Sequence, residues 1–168
     1  MYVTECHSPV GIAVLASDGK HLTGLWLAGQ KYFAQPYGEA VITNTNNRID
    51  LPVFNEVRAW LDRYFAGGKP DIAALPLAPA GSAFRQSVWR ILCEIPYGEL
   101  CTYGAIAKQL GCKSAQAIGG AVGHNPISII IPCHRVVGVS GALTGYAGGV
   151  DVKHQLLILE GAQIKSPA

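Results

Sequence analysis

Cys133 stands beside His134, after the apolar run Ile127–Ile131 and Pro132. A cysteine thiolate is a soft nucleophile, and an imidazole is the side chain best suited to take a thiol proton near neutral pH. A free thiol ionises near pH ~8.5, so such a nucleophile needs a base, and the base needs an orienting partner. Carboxylates are sparse in the second half of the chain. Glu160, at the end of the apolar helical stretch Val152–Leu159, is the attractive one. Spacing alone leaves it equally an ordinary exposed helix-end residue. Most cysteines in folded proteins are inert small hydrophobes, and a Cys-His dipeptide by itself does not overturn that. In an extended chain neighbouring side chains point to opposite faces. His134 therefore reaches the Cys133 thiol only if the backbone bends sharply or a water bridges the two.

Several elements must position this pair. The β-branched run 127–131, bounded by Pro126 and Pro132, predicts a short buried strand or extended segment. Before it, Ser82 is placed to cap a helix carrying Phe84, Val88, Trp89 and Ile91-Leu92, which Pro96-Tyr97-Gly98 breaks. Thr102 is placed to cap a short helix Tyr103–Leu110, stopped by Gly111. Ser114 is placed to cap a third, Ala115–Gly123. Two short helices around a glycine-containing turn form either a helix-turn-helix or a plain helical hairpin. The last helix carries Ala115, Ala117, Gly119, Gly120, Ala121 and Gly123. Interior glycine costs ~1 kcal/mol relative to alanine. So smooth a face suits either a narrow groove or close contact with another helix.

The first half reads differently. Tyr2–Cys6, Gly11–Ala16 and Leu22–Leu27 predict short strands, with Ser8-Pro9 and Asp18-Gly19-Lys20 as turns. Pro52 opens a helical pattern of Val53, Val57, Trp60, Leu61 and Tyr64-Phe65 that Gly67-Gly68 ends. Three prolines between Lys69 and Pro79 mark a linker over about 67–80. Two domains follow, 1–80 and 81–168.

In the 168 residues, apolar side chains make up 49% and charged ones 14%, against ~25% charged in an average domain. That balance excludes disorder. No apolar run approaches the ~18 residues of a membrane span, and Met1–Cys6 lacks the features of a signal peptide. We expect a soluble, cytoplasmic protein. The five cysteines, Cys6, Cys93, Cys101, Cys112 and Cys133, form no Cys-x-x-Cys pair, which argues against a disulfide framework or zinc ribbon. Residues 1–80 carry net charge −1 and residues 81–168 net +3, which permits nucleic-acid contact without demanding it.

The chain carries Ile131-Pro132-Cys133-His134-Arg135-Val136-Val137, with Pro96-Tyr97-Gly98-Glu99, Tyr103, Ala117-Ile118-Gly119-Gly120-Ala121, Asn125-Pro126 and Gly145-Tyr146-Ala147-Gly148-Gly149 in unbroken order. In these motifs it resembles the O6-alkylguanine-DNA alkyltransferases. It implies an α+β fold. A small N-terminal antiparallel sheet with a helix, RNase H-like, precedes a mostly helical domain with a helix-turn-helix and a short active-site strand. It implies that Cys133 accepts the alkyl group from O6 of a guanine flipped out of DNA, that His134 takes the thiol proton through a water, and that Glu160 holds His134. Tyr103 would hydrogen-bond guanine N3, and Asn125 would link the recognition helix to the active-site strand. The carbonyls of Cys133 and Val136 would accept from the exocyclic amine, with Tyr146, Ala147 and Gly148 beside O6. Gly104, Lys113, Gln116, Ala117, Gly119 and Gly120 would face double-stranded DNA in its minor groove. Arg135 is read as structural.

The same resemblance implies a monomer that acts once, without cofactor or metal. Cys6, His7 and His21 do not match a zinc pattern convincingly. Gln116 stands where the family usually has an arginine inserted into the base stack, so weaker and less salt-sensitive DNA binding is expected. The alternatives are a lesion-binding relative without transfer activity, a Cys-His hydrolase, and an alkylation-sensing regulator. The hydrolase gives no reason for the small-residue helix, and 168 residues leave the regulator little room for a further module.

Overall fold

The computed structural model describes residues 1–30, 50–141 and 149–163. The chain divides into two compact units: Met1–Ala80 with Pro126–Ser128, and Gly81–Asn125 with Ile129–Ala168.

In the first unit β1 (Tyr2–Ser8), β2 (Gly11–Ser17) and β3 (Leu22–Leu27) form an antiparallel meander in the order β1-β2-β3. The register pairs Glu5 with Val14 and Val14 with Trp26, and shifts at Ala16/Ser17. Val3, Val14, Ala16 and Trp26 make one buried cluster. Gly24 is required here, because a Cβ at that position would lie 2.0 Å from the Trp26 indole. Helix α1 (Pro52–Phe65) has proline in its first turn and buries Val53, Phe54, Val57, Trp60, Leu61 and Tyr64. That stripe packs on β1 and β2, and Arg58 Nη2 donates to Thr4 Oγ1 at 3.1 Å.

The expected linker is anchored rather than free. Ile72–Ala74 form a 3₁₀ turn capped by Asp71. Leu22 N–H donates to the Pro76 carbonyl, and Ala78 N–H donates to the Leu22 carbonyl. Prolines removed the periodicity from this stretch but left its carbonyls free to pair with a strand edge.

In the second unit, α2 (Ala83–Glu94), α3 (Tyr103–Leu110) and α4 (Ala115–Gly123) begin at the side-chain caps expected of them. Ser82 Oγ accepts from Arg85 N–H, Thr102 Oγ1 from Ala105 N–H and Ser114 Oγ from Ala117 N–H. Gly111 ends α3 in the left-handed region at φ 64°. Trp89 Nε1 donates to the Ala121 carbonyl at 2.8 Å and ties α2 to α4. Two-residue strands β4 (Cys101–Thr102) and β5 (Val136–Val137) pair in parallel. Helix α5 (Val150–Leu159) follows, and Glu160 is its C-cap.

The fold class is the α+β one the sequence implied. One element within it differs. The run 127–131 is not a strand. Ile127 makes a single bridge to Leu25, Ile129 adopts φ 70°, and the chain turns. A short strand forms downstream instead, at Val136–Val137. No helix among the described residues is long and apolar enough to cross a membrane.

Candidate active site

Cys133 opens a 3₁₀ turn, Cys133–Arg135, between Pro132 and β5. The Cys133 N–H donates to the Ile131 carbonyl, the Arg135 N–H to the Pro132 carbonyl and the Val136 N–H to the Cys133 carbonyl. The backbone therefore bends sharply at Cys133 rather than running extended. Successive side chains of a 3₁₀ turn no longer point to opposite faces.

All three side chains of the turn are buried. His134 Nε2 lies 2.6 Å from Glu160 Oε2, with both side chains fully buried. Glu160 Oε1 accepts from Arg135 Nε at 2.7 Å and from the Gly98 N–H at 3.1 Å. Arg135 Nη1 donates to the Ile95 carbonyl at 2.6 Å, and its guanidinium sits over the Tyr97 ring, 5.8 Å from the centroid. Gly98, at φ 81°, comes so close that a Cβ there would lie 2.9 Å from the Glu160 carbonyl.

The tautomer follows from these contacts. Burial holds the His134 pKa below 6.5, against the raising effect of the Glu160 hydrogen bond and charge; the cations Arg135 and Lys153 act in the same direction as burial. The ring is therefore neutral, and its one hydrogen is on Nε2, facing a carboxylate that only accepts. Nδ1 is left with a lone pair. It is buried and has no hydrogen-bond partner among the described residues. A buried, neutral imidazole with one nitrogen oriented and the other unengaged is a base ready to take a proton.

The other expected residues fall into two groups. Tyr103 is the first residue of α3, directly after β4, and β4 pairs Cys101 with Val136 and Thr102 with Val137. That short ladder fixes the entry to α3 beside the strand that follows the cysteine turn. Buried Asn125 donates from Nδ2 to the Ile131 carbonyl at 2.8 Å, holding together the two ends of the loop between α4 and Pro132. The carbonyls of Cys133 and Val136 each already accept one donor, the Val136 N–H and Lys153 Nζ respectively. Each keeps a second lone pair.

Gly104, Lys113, Gln116, Ala117 and Gly120 are exposed and Gly119 is half-buried, whereas Ile118, Ala121 and Val122 of α4 are buried. Among the described residues, a Cβ at Gly119 or Gly120 would meet nothing within 4 Å. Close helix packing inside the protein thus does not explain these glycines. Tyr146, Ala147 and Gly148 lie outside the described residues. Among the described residues no three His, Cys, Asp or Glu side chains gather as a metal site would need.

Lys153 was missed by sequence reasoning. It is fully buried, and its Nζ donates to the Val136 carbonyl at 2.6 Å. A signal was present: a single lysine in an apolar helical stretch, seven residues before Glu160 and so two turns away on the same face.

Residues 83–162 match the model of the 6-O-methylguanine DNA methyltransferase DNA binding domain, and residues 1–79 match the ribonuclease-like domain of the same family. The chain belongs to the 6-O-methylguanine DNA methyltransferase family. As a member of this family it is 44% identical to the methylated-DNA–protein-cysteine methyltransferase of Haemophilus influenzae, over 95% of this chain and 86% of that one. It is 44% identical to the methyltransferase of the same description from Mycobacterium tuberculosis strain H37Rv, over 91% of this chain and 88% of that one. Among solved structures, the chain is similar to M. tuberculosis OGT in complex with DNA. The TM-score is 0.80 at 40% identity, covering 99% of this chain and 96% of that one. The 6-O-methylguanine DNA methyltransferase fold thus extends over both units.

Proposed function

We propose that this chain repairs DNA by moving an alkyl group from O6 of guanine to its own Cys133. The observation that carries the proposal is the neutral His134, oriented by Glu160 through Nε2 and unengaged at Nδ1, next in sequence to a buried cysteine.

The steps balance simply. The Cys133 thiol gives its proton to His134 Nδ1, through a water. The thiolate forms a bond to the alkyl carbon as the bond from that carbon to O6 breaks. The electron pair goes to the base, which takes up a proton and leaves as guanine. The product on the protein is a thioether, which has no easy leaving group, so each chain reacts once. Glu160 stabilises the imidazolium formed in the first step. Tyr103 donates to guanine N3 and offsets charge as O6 departs. The carbonyls of Cys133 and Val136 receive the exocyclic amine on their remaining lone pairs.

The partner is double-stranded DNA. The alkylated O6 lies inside the stack, and reaching it requires the base to be flipped out, at a cost of a few kcal/mol that is smaller for a damaged pair. Helix α4 enters the minor groove. Its Gly119-Gly120 face, where an added Cβ would meet nothing among the described residues, supports this, because a groove ~6 Å wide admits only a slim surface. Gln116, exposed in the first turn of α4, fills the gap left by the flipped base without adding charge. The protein works as a monomer in the cytoplasm. Lesion binding without transfer is not favoured, a reading supported by the presence of Cys133 next to a His134 paired with Glu160.

The test is a mass measurement of the Cys133 peptide after incubation with a duplex carrying one O6-methylguanine. The expected result is a gain of one methyl group, abolished in Cys133→Ala while lesion binding persists. An unchanged peptide mass with intact binding would place the chain among the lesion binders.

A further inference from the structure

We propose that Gln30 and Ser128 are positioning residues for Cys133: the Gln30 side chain stops the chain from lengthening its pairing with β3, and so fixes where the segment that leads to the cysteine turn leaves the sheet edge. This deepens the repair reading above and rests on it. The steps of that reading use no residue of β3 or of the turn that follows it.

Residues 126–128 form part of the same compact unit as β3 and Gln30, and Cys133 stands five residues beyond Ser128. The segment begins as an added parallel strand. The Leu25 N–H donates to the Pro126 carbonyl at 2.8 Å, and the Ser128 N–H donates to the Leu25 carbonyl at 2.9 Å. Bonds in a parallel ladder are evenly spaced, so the next rung would join Leu27 to the Ser128 carbonyl and the Ile130 N–H. Gln30 holds that rung instead. Its Oε1 accepts from the Leu27 N–H at 2.7 Å, and its own N–H donates to the Leu27 carbonyl at 3.0 Å. The same Oε1 accepts from Ser128 Oγ at 3.2 Å, and both side chains are buried. The pairing therefore ends after a single bridge, Leu25–Ile127.

Nothing local stops a strand there. Ile129, Ile130 and Ile131 are β-branched and suit extended backbone. Yet Ile129 stands at φ 70°, a left-handed conformation that a β-branched residue rarely adopts and that persists only where its surroundings impose it. The chain then reaches Ile131, whose carbonyl accepts from Asn125 Nδ2 and from the Cys133 N–H, each at 2.8 Å. Pro132, at φ −82° and ψ 64°, makes the second of these bonds an inverse γ-turn that ends on the cysteine. The direction in which the chain leaves Ile129 thus sets where Cys133 begins. Without the Gln30 amide, Leu27 is open to Ser128 and Ile130, Ile129 relaxes to extended backbone, and the γ-turn moves with it.

The experiment compares the wild type with Gln30→Ala, Ser128→Ala and Ser128→Thr, with folding followed by thermal melting. Methyl transfer from a saturating O6-methylguanine duplex is followed in single turnovers, duplex affinity by fluorescence anisotropy, and the Ile129 backbone by its NMR chemical shifts. Gln30→Ala is expected to move the Ile129 shifts from left-handed to extended values. It should slow saturated transfer by up to about 100-fold, the scale of an ~1 Å misplacement of a reacting group, with duplex affinity unchanged. Ser128→Ala moves both readouts the same way and less far, and Ser128→Thr, which keeps the hydroxyl, restores them. A folded Gln30→Ala with left-handed Ile129 or with the wild-type saturated rate overturns the proposal, and so does a loss confined to duplex affinity. If Gln30→Ala does not fold, Ser128→Ala decides by the same readouts; failure of both to fold overturns the proposal, since the pair would then be structural. A threonine variant as slow as the alanine variant removes Ser128 from it. Absence of methyl transfer in the wild type would instead overturn the repair reading, and the Ile129 shifts would still decide whether Gln30 holds the turn.

Discussion

His134 and Glu160 meet at 2.6 Å inside the protein with neither side chain reaching solvent, yet the histidine is held neutral. The contact has the geometry of an ion pair. It works as a hydrogen bond that chooses a tautomer, because burial together with the nearby Arg135 and Lys153 outweighs the pull of the carboxylate.

A pH dependence of stability follows. The folded pKa of His134 is lowered from the ordinary 6.5, so below that value the unfolded chain binds a proton that the folded chain refuses. The contribution is complete above pH ~6.5 and is lost as the pH falls from there toward the folded pKa. Denaturant unfolding at about pH 7.5, 6.5, 5.5 and 4.5 (~1-unit steps across the window) should show the loss in wild type and a shallower one in His134→Gln. Equal slopes in the two proteins would contradict it.

The buried carboxylate also anchors Arg135, so Glu160→Gln leaves a guanidinium without its counter-charge. Breaking such a pair costs ~3–5 kcal/mol, whereas removing both charges is close to neutral. The double variant Glu160→Gln with Arg135→Met should regain most of the lost stability in urea melts and none of the lost transfer rate. Additive destabilisation in the double variant would show that the two residues are not coupled.

The α4 glycines separate stability from binding. A Cβ at Gly120 meets nothing among the described residues, so Gly120→Ala should raise stability by about 1 kcal/mol, the ordinary helix-interior value. Gly120→Leu should fold equally well and bind duplex DNA poorly, measured by fluorescence anisotropy. Wild-type affinity in the leucine variant would remove α4 from the groove.

Gln116 is exposed, so Gln116→Arg should leave the melting temperature unchanged. It should speed transfer from duplex DNA more than transfer from the free alkylated base, and steepen the salt dependence of binding by about 0.9 for each phosphate the new cation reaches. Equal acceleration on both substrates would contradict the flipping role.

Much of this was legible in the sequence because the signals were local. Ser82, Thr102 and Ser114 each announce a helix start, and Gly111 a helix end, through bonds spanning three or four residues. The heptapeptide around Cys133 carried the family resemblance. The run 127–131 misled because a short apolar segment buried on all sides reads alike as strand or turn. Only the single Leu25–Ile127 bridge and the left-handed Ile129 decide it, and both are tertiary facts. Lys153 stayed hidden for a related reason. A lone lysine on a helix is usually solvated, and nothing within α5 itself says that its head group reaches Val136.

The most direct measurement counts product. With protein limiting and methylated duplex in excess, the O6-methylguanine removed should reach one equivalent per chain and stop, all of the protein carrying methyl on Cys133. Removal continuing beyond one equivalent, or methyl recovered on any other residue, would contradict a sulfur consumed by its own reaction.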